Sequence, residues 1–183
     1  MSIFSRLKEA FVVQQQWEED IERIRRARIE PRFASPYVPT PMPIVREMLN
    51  LAEVGKGDVL YDLGCGDGRL VLTAALEYGA ECVGIEIRDD LVEKAIADIK
   101  MAGVQDRAKI ILGDMFEQNL KNATVVTLYL LNAVNTHLRP KLEAELRKGT
   151  RVVCHDYEIE GWKPLVVKRV GRILRHTLYL YRM

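Results

Sequence analysis

Three carboxylates carry the first chemical signal in this sequence. Asp62 stands in VLYDLGCGDGR (59–69), just ahead of Gly64, Gly66 and Gly68. Glu86 lies near the end of CVGIEI (82–87), and Asp114 closes KIILGD (109–114). Each acid finishes an apolar run of strand-like composition. Glycines at every second position permit positive φ and let a ligand approach the backbone without meeting Cβ atoms. The spacing GxGxG differs from the GxGxxG of a pyrophosphate site, and no GK[ST] follows, so a phosphate loop is excluded. Asp62 and Asp67 argue the same way, because carboxylates repel a diphosphate and attract an ammonium or sulfonium.

Glu86 is placed to accept both hydroxyls of an adenosine ribose, and Asp114 to accept from an adenine amino group. A cationic amino-acid nucleoside meets all these demands, and S-adenosylmethionine is such a molecule. The competing reading makes Asp62 and Asp114 caps of the turns or helices that follow them. Capping leaves Glu86 unexplained.

Such acids need strand ends to hold them side by side. The runs 59–64, 82–87, 109–114, 124–131 and 151–156 read as strands that are apolar throughout. Helical patterns separate them: RLVLTAALEYG, DDLVEKAIADIKMAG and NAVNTHLRPKLEAELRKG. This alternation predicts an α/β, Rossmann-like, doubly wound sheet with helices on both faces. The tail has two strand candidates around Gly171 and no helix, so a terminal hairpin completes seven strands, the last antiparallel. Prolines 36, 39, 41 and 43 predict a stiff extended strap, and a helix opening near Pro43 carries Ile44, Met48, Leu51 and Val54 on one face. The domain is expected over 35–183, after an N-terminal extension, 1–34. In that extension QQQWEEDIERIRRARIE (14–30) places acids first and arginines last, which suits a helix dipole. This helix is either a charged face packed on the domain or an arm that docks a partner or second subunit.

At this point the chain resembles the class I S-adenosylmethionine-dependent methyltransferases, on DLGCGDG, GIEI and GDMF. A narrower resemblance rests on YVPTP (37–41), YDLGCGDGRLVLTAA (61–75), VGIEI (83–87), TRVVCHDYEI (150–159), GW (161–162) and HTLYLY (176–181). These look like the archaeal seven-strand protein-lysine methyltransferases, a family similar to the mitochondrial enzymes that methylate the ATP synthase c-subunit. The resemblance implies protein substrates with accessible lysines. It also implies a cofactor site of Asp62, Gly64, Gly66, Glu86, Asp114 and Met115, bordered by Tyr37 and Thr40.

Four residues are expected to shape the acceptor channel: Tyr37 and Thr40 as a lid, Tyr129 as a wall, and Asn132 as an acceptor for the incoming ammonium. The alternatives are a plain strap for 37–41 and a helix cap for Asn132. The text YLLN at 129–132 is not [DN]PP[YF], which argues against methylation of an adenine or glutamine amino group. His155 is either a base or a hydrogen-bonded structural residue, and Tyr157 or Trp162 is a candidate to face the acceptor. Three histidines far apart in sequence, with no ligand-spaced pair, predict no metal site.

Composition narrows the partners. A chain of 183 residues, 48% hydrophobic, builds a core without disulfides or metal. A net charge of +1 makes nucleic acid an unexpected partner, although the arginines of 23–28 leave an RNA acceptor as a rival. A small-molecule acceptor and a non-catalytic binding module are the others. No apolar run approaches the ~18 residues of a membrane span. Cys65, Cys82 and Cys154 lack CxxC spacing and read as reduced, buried thiols of a cytoplasmic protein.

Overall fold

The computed structural model of the chain describes residues 35–171 and 175–183. The expected helix within 14–30 lies outside them. The chain divides into two units, Met1–Pro39 and Thr40–Met183. Tyr37 falls in the first and Thr40 in the second, so of the expected lid pair only Thr40 is placed within the domain. Residues 35–41 form neither helix nor strand, which suits a segment with prolines at 36, 39 and 41.

Helix α1 (Met42–Leu51) starts where Pro41 offers its carbonyl to Ile44 N and Val45 N at 2.8 and 3.0 Å. It buries Ile44, Val45, Met48 and Leu49. Seven strands follow: β1 (Val59–Leu63), β2 (Glu81–Glu86), β3 (Ala108–Leu112), β4 (Val125–Leu128), β5 (Arg151–His155), β6 (Val166–Val170) and β7 (His176–Arg182). Between them lie α2 (Arg69–Thr73), which continues as a π turn over Ala74–Tyr78, α3 (Asp89–Met101) and α4 (Asn132–Glu145). The sheet order is β3-β2-β1-β4-β5-β7-β6. All pairings are parallel except β5–β7 and β6–β7. This is the doubly wound, seven-stranded sheet that the alternation predicts.

Its winding reverses between β1 and β4, where open parallel sheets hold ligands beyond their carboxyl ends. Two apolar cores cover the sheet. One gathers α1, α2 and Ile99 of α3, and the other Leu120, Val134, Leu138 and Leu142. All three cysteines are buried and unpaired. Among the described residues, no helix is long and apolar enough to cross a membrane.

The fourth strand stops at Leu128, short of the expected 131. Its ladders with β1 and β5 both end there, at Leu63 and Cys154, and the Leu131 carbonyl instead accepts from Val134 N and Asn135 N of the next helix.

Candidate active site

The turn 64–68 leaves β1 and enters α2. Gly64 N and Cys65 N both donate to Ile85 O, at 2.9 and 3.0 Å, which ties the turn to β2. Gly68 caps α2 with φ of 74°, and a Cβ there would stand 2.7 Å from the Cβ of Ala95. Only glycine combines that left-handed backbone with so close a helix.

Asp62 is buried at the end of β1, and its Oδ1 accepts from Thr127 Oγ1 of β4 at 2.7 Å. Burial pushes its carboxyl up to about 7, against the Thr127 hydrogen bond and with help from the charges of Glu86 and Asp67. Asp67 does not share this role. Arg69 grips it in bidentate fashion, Nε to Oδ1 at 2.8 Å and Nη2 to Oδ2 at 2.7 Å. Arg69 Nη1 also donates to Thr40 O at 3.0 Å, fastening Thr40 to the turn.

Glu86 is buried at the end of β2, with its oxygens already engaged by backbone. Its Oε2 accepts from Gly66 N at 2.9 Å, and its Oε1 from Ile87 N and Arg88 N at 2.8 and 3.0 Å. Burial raises its pKa, and these backbone donors oppose the rise. With two donors on Oε1 and one on Oε2, the carboxylate keeps room for a single hydroxyl at Oε2 rather than a bidentate grip. Asp114 does cap its own turn, Oδ1 accepting from Phe116 N at 2.9 Å, which leaves Oδ2 for a ligand. Met115 is half-buried against the second core.

A second group forms at the ends of β4 and β5. His155 is fully buried, with Nδ1 3.3 Å from Thr40 Oγ1. The ring of Tyr129 stacks on it with centroids 3.8 Å apart, and Tyr157 lies 6.3 Å from Tyr129. Burial lowers the His155 pKa to about 4, so the imidazole is neutral at pH 7, and burial raises Tyr129 to about 12. Thr40 and Tyr129 are thus brought together through a residue for which sequence left two roles open.

Asn132 is not part of that group as expected. It is the exposed first residue of α4, Leu131 is the capping residue, and no side chain caps the helix. The buried amide is Asn135, whose Nδ2 donates to the carbonyls of Leu130, Tyr157 and Glu158. Trp162 packs against the second core, meets the Tyr181 ring edge-on and donates to the exposed Glu143. His176, unremarked in sequence, reaches His155, Nδ1 to Nε2 at 2.9 Å. The antiparallel return of β7 beside β5 puts the start of one strand at the end of the other, and an expected terminal hairpin carries that signal. Separation of 21 residues in sequence therefore does not keep this pair apart in space.

A buried carboxylate with one oxygen uncommitted, beside a turn where glycine leaves no side chain in the way, fits a ligand that brings its own positive charge. The groups available for a nucleoside, Glu86 Oε2 and Asp114 Oδ2, stand at the last residue of β2 and in the turn two residues beyond β3.

The chain is similar to several known proteins. Residues 62–166 match the family described as the ANTKMT methyltransferase domain. A protein-lysine N-methyltransferase of Saccharolobus islandicus (strain REY15A) is 51% identical, over 80% of this chain and 92% of its own. The adenine nucleotide translocase lysine N-methyltransferase of Mus musculus is 31% identical over 79% of this chain, which spans only 62% of that protein. Among solved structures, an RNA methyltransferase from Salinibacter ruber in complex with S-adenosyl-L-homocysteine is 50% identical, with a TM-score of 0.75 over 79% of this chain and 93% of that one. The glycine turn, the acids at three successive strand ends and these matches agree: the chain belongs to the ANTKMT methyltransferase domain family.

Proposed function

We propose that this protein transfers methyl groups from S-adenosylmethionine to lysine side chains of proteins. The observation that carries the reading is 51% identity with a protein-lysine N-methyltransferase across 92% of that relative. When bound, the cofactor supplies a methyl group activated on a sulfonium. Asp62 would balance the cofactor's positive charge, and Gly64 and Gly66 would let its chain lie against bare backbone. Glu86 Oε2 would accept one ribose hydroxyl and Asp114 Oδ2 the adenine amino group, with Met115 against the base.

On the acceptor side, a lysine ammonium must lose a proton before its nitrogen can attack. A channel walled by Tyr129 and Tyr157 lowers the ammonium pKa by desolvation, and aromatic faces tolerate the cation while it enters. The proton can then leave to water, so this chemistry needs no strong base. Thr40, held by Arg69 and facing His155, would border the channel. The unpaired buried cysteines support a reducing compartment, the cytoplasm.

RNA as acceptor is the second reading, favoured by the description of the Salinibacter ruber relative. Radiolabelled S-adenosylmethionine, the purified protein and a cell extract divided between nuclease and protease separate the two. Label that survives nuclease, is lost to protease and maps to lysine by mass spectrometry is the expected result. Label lost to nuclease would replace lysine with RNA.

A further inference from the structure

His155, Asp156 and His176 converge on one point that the methyl-transfer reading does not use. His155 Nε2 lies 2.9 Å from His176 Nδ1, and Asp156 Oδ2 lies 3.2 Å from each. Three atoms that each offer a lone pair thus form a small triangle. One proton can bridge one edge, and it leaves another edge with lone pair facing lone pair. A divalent cation satisfies all three. Donors about 2.1 Å from a zinc-sized ion lie about 3.0 Å apart at right angles and about 3.4 Å apart at tetrahedral angles. The observed edges of 2.9 and 3.2 Å fall close to that span.

The surrounding bonds direct these atoms inward. The far nitrogen of His155, Nδ1, faces Thr40 Oγ1 at 3.3 Å, and the other oxygen of Asp156, Oδ1, accepts from Thr177 N at 2.7 Å. Metal-ligating imidazoles and carboxylates are held from behind in this way. Asp156 adopts φ of 60°, uncommon for a residue with a side chain. Its amide donates to Thr177 O at 2.7 Å, so the strained turn is locked to β7. His155 is buried, while the Asp156 and His176 side chains keep 28% and 18% of their surface. Solvent therefore reaches the triangle from one side.

The geometry points to a site for one first-row divalent transition-metal ion, of which Zn(II) is the natural probe, held by His155 Nε2, His176 Nδ1 and Asp156 Oδ2, with water completing the shell. Two imidazoles disfavour magnesium and calcium, which prefer oxygen. An ion there clamps the end of β5 to the start of β7 and fixes the imidazole on which Tyr129 stacks. The site stands whether the acceptor is lysine or RNA.

The test uses the full chain, stripped with a chelator and titrated with Zn(II). One equivalent should shift the ring signals of His155 and His176 in nitrogen-15 NMR and leave those of His137 in place. The melting temperature should rise with Zn(II) concentration. His176→Gln and Asp156→Asn should each weaken Zn(II) binding by roughly tenfold or more, and Thr40→Val by roughly tenfold through its hold on His155. His137→Gln should change nothing. If Zn(II) leaves the two ring signals of the unaltered protein where they were, the triangle is a proton-bridged pair and the proposal is overturned. Binding by a folded His176→Gln as tight as by the unaltered protein would overturn it too.

Discussion

Glu86 Oε2 stands 2.9 Å from Gly66 N, twenty residues away in sequence, and so joins the end of β2 to the middle of the glycine turn. The other oxygen holds the backbone of Ile87 and Arg88. The turn therefore depends on a side chain that accepts at both ends. Glu86→Gln preserves size but replaces one oxygen with an amide donor, which must face at least one of these N–H groups. Hydrogen bonds to a charged group contribute about 1.5–3 kcal/mol each. The expected outcome is a rise in the Kd for S-adenosylhomocysteine of roughly tenfold or more, read by calorimetry, with the circular dichroism spectrum retained. An unchanged Kd would mean that the turn keeps its shape without this carboxylate.

Asp62 makes a prediction with two opposite signs. Burial, the largest cause, lifts its pKa from the ordinary 3.8 to about 7. Between those values the native state binds a proton that the unfolded chain does not. The resulting stability is fully present below 3.8 and is lost as pH rises through about 7. Asp62→Asn keeps an oxygen for the Thr127 hydroxyl and removes the ionisation. Without cofactor, the variant should melt several degrees above the unaltered protein at about pH 8, and the gap should close towards pH 4. Cofactor affinity should move the other way, because an amide cannot balance a cation. A variant that is no more stable at high pH would show that water reaches Asp62.

Much of this architecture was legible because burial leaves a period in the text. Runs such as VVTL and ECVGIE are buried almost throughout, which only a strand covered on both faces requires. What periodicity could not give was the point where a ladder ends: Tyr129, Leu130 and Leu131 are as apolar as the strand before them, yet their neighbours have stopped pairing. The acids at three strand ends were visible as chemistry, whereas their partners were not. In sequence Asp67 is as available as Asp62, whereas in the fold Arg69 claims it. His155 and His176 meet only through the register that sets His155 opposite Leu178. That register is a property of the folded sheet, not of either segment.

Gly68 tests the packing that shapes the turn. A Cβ at this position meets Ala95 at 2.7 Å, on a backbone with φ of 74°. The left-handed conformation costs an L-residue about 1–2 kcal/mol, and forced overpacking typically costs about 1–3 kcal/mol. Gly68→Ala should therefore lower the stability measured in denaturant by about 2–5 kcal/mol. Ala95→Gly in the same chain removes the clash and leaves the backbone strain. Ala95→Gly alone loses about 1 kcal/mol in a helix interior, so the double variant is compared with it: on that background Gly68→Ala should cost less than in the unaltered chain, and an undiminished cost would place it all in the backbone.

Tyr129 separates the acceptor wall from the cofactor site. Its ring lies 3.8 Å from that of His155, and its carboxyl-side neighbour Leu130 packs beneath Gly64, where a Cβ would come within 2.9 Å of Leu130 Cδ2. A ring fixed on both counts makes a rigid surface next to the turn. Its hydroxyl has a pKa raised to about 12, chiefly by burial, so it stays protonated and is no base at neutral pH. Tyr129→Phe keeps the stack and should keep most of the methyl transfer. Tyr129→Leu removes the aromatic face and should lower kcat/KM for the acceptor by roughly fivefold, the ~1 kcal/mol that a partly exposed cation gains from such a ring. The Kd for the cofactor should stay within a factor of about two to three in both variants. Loss of activity in Tyr129→Phe equal to that in Tyr129→Leu would assign the effect to the hydroxyl and remove the ring from the channel wall.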